Sequence, residues 1–352
     1  MRVGSPKTLP GQAQSGRPQV RRCAAFLSTA VVVLGLAACG GGGDVTGSPG
    51  GGNVAPSGSV RITAANQDAV SRAAAVATVG GLSFDVVRVI TSRDKGPVAR
   101  WRGARALTGR QAPAGVVVLP IETCSAGGTM AATLDDRDGS LTLTTGDVLN
   151  VSFTACRETA NAQADGSLSL AFGQLSAAPT LSLQAQVTMV QFTLSSLSSS
   201  RSVRYDGALR LTYAEPAVDT TVSELLVGGA DTLTMAVTHP LYTDTVTLRP
   251  GFAAAQYGFP PGPAGPNSLR TRYEINGQVA SKAAGGWVSV FSTVHLWQYV
   301  DVETHPSSGM IQVNGELGRV MLTVESAHDV RVDLDTDTGT IASKLVPWDE
   351  LV

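Results

Sequence analysis

Leu141-Thr142-Leu143-Thr144, and then Leu149-Asn150-Val151-Ser152-Phe153-Thr154-Ala155, alternate apolar and polar side chains residue by residue. A period of two throws every apolar side chain onto one face, as in a strand buried on one side only. The same alternation recurs at 168–172, 181–194, 203–213, 232–238 and 243–248. It continues at 269–279, 287–302, 310–313, 320–324 and 330–334. Asp138-Gly139, Gly146-Asp147, Asp165-Gly166, Asp206-Gly207, Asn276-Gly277 and Asn314-Gly315 punctuate these runs. An Asx-Gly pair between alternating runs favours a hairpin turn, because both residues accept positive φ. Inside a long strand the same glycine marks a bulge instead. The expected fold is therefore all-β, an antiparallel meander. So many strands curl toward a barrel or fold over as a sandwich. The Pro/Gly-rich segment 250–266 is either a long loop within one domain or a seam between two.

Only one stretch reads as a helix. Residues 67–78 are Ala-rich, with Val70, Ala73, Ala74 and Ala77 at helical spacing and Asn66 placed to cap the start. One short N-terminal helix is expected there.

Ahead of it, Arg21-Arg22 precede a 16-residue apolar run, Cys23 to Ala38, that closes on Leu36-Ala37-Ala38-Cys39-Gly40. A basic flank before a short apolar core is the arrangement of a secretory signal, and the run is shorter than the roughly 20 residues of a membrane-spanning helix. The closing residues resemble the lipobox of bacterial lipoproteins. That resemblance implies removal of residues 1–38 and attachment of fatty acyl chains, palmitate among them, to Cys39. An ordinary signal peptide with a chance cysteine is the competing reading. Each buried methylene contributes about 0.8 kcal/mol, so several chains on one residue make a firm membrane anchor. Gly40 stands where an Asp would imply inner-membrane retention, so the analogy points to the outer membrane of the cell envelope. Residues 39–59, with Gly40-Gly41-Gly42-Gly43 and Gly50-Gly51-Gly52, are too poor in apolar side chains to pack and read as a tether. The β-rich domain then occupies residues 60–352.

At 43% hydrophobic and 15% charged, the chain is too apolar for a disordered protein. Losing the five basic residues of 1–38 (Arg2, Lys7, Arg17, Arg21, Arg22) from 26 leaves 21 against 28 acidic ones, a net charge of -7. That sign argues against nucleic acid as a partner. With Cys23 removed and Cys39 acylated, Cys124 and Cys156 remain as a pair. In an oxidising compartment the default for such a pair is a disulfide.

Three stretches resemble a group of uncharacterised proteobacterial β-rich lipoproteins. They are Ile62-Thr63-Ala64-Ala65-Asn66, the region 134–156 with its Phe153-x-x-Cys156, and the tail. In the tail, Pro306-Ser307-Ser308-Gly309 precedes Val313-Asn314-Gly315, and Trp348-Asp349-Glu350-Leu351 comes near the end. The resemblance implies a β-rich envelope lipoprotein and carries no activity with it.

Candidate sites are few. Trp287, Phe291, His295, Trp297 and Tyr299 fall on one face of a single predicted strand, opposite Val288, Val290, Val294, Leu296 and Val300. Such a row stacks on sugar rings or bases, as a carbohydrate-binding face would, or lines a core or barrel, which is the favoured reading. Asp333, Asp335 and Asp337 offer oxygen ligands in alternation, the pattern of a calcium loop. Yet Thr338 and Lys344 stand where an EF-hand-like frame needs Gly and Glu. Asp135, Asp136 and Asp138 before Gly139 raise the same question. In both places solvated turn carboxylates are the favoured reading, and no cofactor is expected beyond such calcium. His239, His295, His305 and His328 show no metal-ligand spacing, and no nucleophile elbow, P-loop or dinucleotide fingerprint occurs. An envelope hydrolase stands as the alternative to a structural or ligand-binding role, since a Ser/His/Asp triad needs no fixed spacing.

Overall fold

Alternation along the chain becomes pairing between neighbours. In the computed structural model, which describes residues 58–80, 98, 115–176, 180–214, 221–226, 231–259, 270–299, 302–336 and 339–352, seventeen strands form one antiparallel sheet. The first half comprises β1 (Gly115–Val118), β2 (Glu122–Thr123), β3 (Thr129–Asp136), β4 (Val148–Thr159), β5 (Ala162–Ser176), β6 (Ser182–Ser196), β7 (Arg201–Ala214), β8 (Thr221–Leu226) and β9 (Leu233–His239). The second comprises β10 (Tyr242–Leu248), β11 (Ala253–Phe259), β12 (Arg270–Ser281), β13 (Gly286–Tyr299), β14 (Ser308–Asn314), β15 (Arg319–Val324), β16 (Asp329–Thr336) and β17 (Gly339–Pro347).

Each strand from β3 to β7, and from β12 to β17, pairs with the next in sequence. Between these runs, β8 and β9 both lie along β7, while β10 and β11 both lie along β12. The two broken ribbons also pair with each other, β8 with β11 and β9 with β10. The described strands on either side of the Pro/Gly-rich segment belong to one sheet: β11 and β12 pair directly, Phe259 opposite Arg270 and Ala253 opposite Asn276. All described residues belong to one unit, Asn53–Val352. Among the described residues, β1 and β2 pair only with β3, and β17 only with β16, so hydrogen bonds do not close the sheet.

One face of β3 to β7, β9, β10, β12, β13, β15 and β16 is largely apolar and buried. Leu149 and Val151 of β4, Leu168 and Leu170 of β5, and Leu183 and Val187 of β6 join Val320, Leu322, Val330 and Val332 in one core cluster. Burying one face of so long a sheet requires it to bend, and the Asx-Gly pairs mark where it does. Asp165-Gly166, Asp206-Gly207 and Asn276-Gly277 sit inside strands rather than at their ends, with glycine φ of 89°, 129° and 154°. The register shifts between Asp165 and Ser167 on β5, between Met189 and Phe192 on β6, and between Phe153 and Cys156 on β4. At these bulges the Asp side chain serves the neighbouring strand. Asp165 Oδ1 accepts the Ala155 N–H at 2.6 Å, and Asp206 Oδ1 accepts the Gln191 N–H at 2.7 Å. Ala155 and Gln191 themselves hold φ of 46° and 49°. A Cβ on Gly166 would stand 2.2 Å from the Gln191 carbonyl oxygen, so only glycine lets the ribbons approach there. A row of bulges thus crosses β4 to β7 and increases local twist, which is how a sheet is bent without losing its pairing. Phe153, Phe192 and Tyr205 fill the inside of the bend, with centroids 5.6 and 6.1 Å apart in sequence.

Two sequence expectations fail locally. Leu141-Thr144 alternates but is not a strand: Leu141 has φ of 56°, and the segment is wound into the β3–β4 connection by the carboxylates described below. Asn66 precedes the helix α1 (Gln67–Ala75) without capping it. Its Oδ1 accepts the Thr63 N–H at 2.8 Å, and its amide donates to the Arg61 carbonyl, so it braces the approach instead. The apolar stripe of Val70, Ala73, Ala74 and Ala77 is wholly buried, against β12, β14, β15 and a C-terminal turn, α2 (Trp348–Leu351).

The chain enters the body through a narrow slot. Trp287 N–H donates to Gly58 O and Val60 N–H to Trp287 O, while Glu316 and Leu317 bond Val60 and Ile62 from the other side. A Cβ on Gly315 would lie 2.1 Å from Val60 O, so the β14–β15 turn needs glycine to admit this segment.

Candidate binding face and the polar clusters

The aromatic row of β13 does not line the core as expected: it lies on the outer face of the sheet, opposite buried Val288, Val290 and Leu296, half-buried except for His295, which is exposed. Val288, Val290 and Leu296 take the core face as their parity requires, but Val294 is 53% exposed. The pairing of β13 with β14 shifts on both sides of Val294, which swings it out of the core. Val300 lies outside the described residues.

What covers the outer rings comes from the neighbouring strands. Arg272 of β12 is opposite both Tyr257 of β11 and Trp297 of β13, and Arg270 is opposite both Phe259 and Tyr299. Alternation on all three strands therefore interleaves cations with rings. The Arg272 guanidinium lies 4.3 Å from the Tyr257 centroid and 5.7 Å from that of Phe259. Phe259 meets Trp297 at 5.5 Å, tilted by 44°. Arg270 then covers Trp297 at 3.8 Å and reaches Tyr299 at 5.9 Å. These six side chains make a continuous column, ring and guanidinium by turns apart from the Phe259–Trp297 contact. Each cation–ring contact contributes about 0.5–1 kcal/mol where exposed.

The two arginines differ in charge balance. Glu274 neutralises Arg272 at 3.0 Å and also approaches His295 Nδ1 at 3.4 Å. Among the described residues no carboxylate pairs with Arg270. Further along the same face, Arg249 covers Trp287 at 5.1 Å and donates to the Gln278 side chain. Phe291 lies between these two assemblies. The sequence showed the row on β13 but not its partners. Arg270-x-Arg272-x-Glu274 and Tyr257-x-Phe259 alternate in the same way, yet nothing in one strand states which strands flank it.

The acidic candidates have other occupations. Asp333 accepts from Ser343 and pairs with Arg331 at 3.2 Å; Asp335 accepts from Thr340 and pairs with Arg319 at 2.9 Å. The Thr340 hydrogen bond, with help from Arg319, holds the Asp335 carboxyl below its ordinary range. Asp337 lies outside the described residues, as do Cys39 and the rest of 1–57.

A tighter carboxylate group forms in the β3–β4 connection, where ligand oxygens of Asp136, Asp138 and Asp147 come within 4.8 Å of one another. Asp136 and Asp147 are buried. Asp136 accepts the Ser140 and Leu141 N–H groups, while Asp147 accepts those of Arg137 and Thr144 and the Thr144 hydroxyl. Hydrogen bonds from Ser140 and Thr144 hold Asp138 at about 2. The loop winds around its own carboxylates, which is why its alternating residues do not extend. Cys124 and Cys156 form the expected disulfide, Cα atoms 5.4 Å apart.

Histidines scattered in sequence gather around α2. His239 Nδ1 accepts the Leu241 N–H, so Nε2 carries the proton and donates to Asp349 O at 2.9 Å. Tyr242 stacks on His239 at 4.7 Å and donates to Leu351 O; burial pushes its hydroxyl to about 12. His305 stacks on Trp348. Burial lowers both His239 and His305, Arg201 adding to the effect at each. The unfolded chain takes up protons near pH 6.5 while the folded one resists. Stability from these histidines is therefore complete above about 6.5 and is lost as pH falls through their depressed folded values. Tm is expected to fall between pH 7 and 5, and calorimetry on a His239→Gln/His305→Gln variant should show a shallower fall.

Comparison of the chain with protein-family models, with curated proteins and with solved structures finds no match. Any functional reading therefore stands on the residues themselves.

Proposed function

We propose that the mature protein is a cell-envelope lipoprotein, moored to the outer membrane by acyl chains on Cys39, that acts by binding a ligand on its outer face. The observation that carries the binding half is the cation–ring column of β11, β12 and β13, which keeps on an aromatic ledge a guanidinium that has no carboxylate partner among the described residues. Hydrophobic rings with polar rims are what sheet-borne recognition surfaces use. The anchoring half is supported by the lipobox-like Leu36-Ala37-Ala38-Cys39, the Gly-rich tether behind it, and a disulfide suited to an oxidising compartment.

Cys39→Ser in the full chain tests the anchor. The unaltered protein is expected in the membrane fraction with an acylated N-terminal cysteine by mass spectrometry, and the variant in the soluble fraction. A variant that still fractionates wholly with membranes would overturn the anchoring assignment.

A further inference from the structure

We infer that the column at Arg270 and Trp297 binds a carboxylated glycan, a polymer of uronic-acid type, an assignment that rests on the ligand-binding reading above and names its ligand class. Local charge decides the class. Of the two guanidiniums in the column, Arg272 is already neutralised by Glu274. Arg270 is exposed, lies over the Trp297 ring at 3.8 Å, and has no carboxylate partner among the described residues. A guanidinium carries its N–H donors in a planar fork, the geometry that takes a carboxylate in bidentate fashion.

The rings beside it set the rest of the specificity. Trp297 and Tyr299 lie beside Arg270 and are half-buried, and Phe259 packs against Trp297. Arg270 covers Trp297 itself but stands 5.9 Å from Tyr299. A sugar ring offers an apolar C–H face to an aromatic, so one hexuronate can put its face on Tyr299 and its carboxylate on the fork. Nucleic acid would also stack on rings, but it needs a run of cations along a phosphate backbone. Here, among the described residues, the column holds one guanidinium without a carboxylate partner, Arg270, while Arg272 is paired with Glu274. A neutral glucan would use the rings and leave Arg270 idle.

The test uses the full chain in detergent, with polygalacturonate, dextran and single-stranded oligo-dT as probes in affinity electrophoresis, and intrinsic tryptophan fluorescence as a second readout. Polygalacturonate is expected to retard the protein and perturb its tryptophan emission, with dextran and oligo-dT at least tenfold weaker. Arg270→Gln should lose tenfold or more, and Arg270→Lys nearly as much because the fork is gone, both still folding cooperatively with Tm lowered by no more than a few degrees. Equal retardation of wild type and Arg270→Gln by polygalacturonate, or none of the wild type, would overturn the uronate assignment. Dextran binding lost in Trp297→Ala but kept in Arg270→Gln would also overturn it while leaving the face a ligand site. No response to any probe in wild type or variants would remove both. Stronger binding of oligo-dT than of polygalacturonate would replace the class altogether.

Discussion

Trp348→Ala should destabilise the protein by about 3–5 kcal/mol, the range for emptying a buried tryptophan site. For a body of this size each kcal/mol moves Tm by roughly 2–4 °C. Trp348 heads the largest wholly buried side chains among the described residues and sits on the four-residue turn α2. Its indole donates to Pro306 O at 3.2 Å, and its backbone N–H to His328 O at 2.8 Å. Those partners follow β13 and β15. The rest of α2 faces another part of the sheet: Arg201 of β7 donates to Asp349, His239 of β9 to the Asp349 carbonyl, and Tyr242 of β10 to that of Leu351. The substitution therefore opens a cavity where distant strands are joined, and also leaves the Pro306 carbonyl without its donor. Trp348→Phe keeps most of the volume and should cost appreciably less. Urea denaturation of the two variants separates these contributions, and an Ala variant within 1 kcal/mol of the parent would show that α2 does not hold the strands together.

Loss of the Cys124–Cys156 disulfide is the second large expected effect, about 3–4 kcal/mol by loop-closure entropy for a 32-residue separation. Both sulfurs are buried in the core cluster. The bridge pins the short β2 and its turn to β4, where Ala126 N–H donates to Arg157 O and Arg157 N–H to Gly127 O. A two-residue strand has little pairing of its own, so the covalent link does what hydrogen bonds cannot. Cys124→Ser/Cys156→Ser should shift the denaturation midpoint by that amount. Hydrogen exchange should rise first in β2 and the start of β3. Uniformly unchanged exchange there would contradict the assignment of the bridge to this corner.

The period-two pattern was legible because each strand buries one face only, so 181–194 and 203–213 announced themselves as β6 and β7 residue by residue. The pattern misled at Leu141-Thr144, where buried Asp136 and Asp147 draw backbone N–H groups inward and outcompete extension. Three of the Asx-Gly pairs proved to be bulges, because turn and bulge require the same positive φ and differ only in what lies opposite. The ring row on β13 could be read from one strand. The arginines that cover it could not, since their placement depends on which strands flank β13 and in what register. His239 and His305 looked unrelated for the same reason, and only the return of the C-terminal turn brings them to a common place.

Nearest-neighbour hairpins join segments close in sequence and can zip up one after another, because little loop entropy opposes them. The contacts of Trp348, Asp349 and Tyr242-bound Leu351 instead join segments 42, 148 and 109 residues apart. They close only when the hairpins between them stand. Docking of α2 is therefore a late folding step, the one that locks a paired ribbon into a body that resists unfolding.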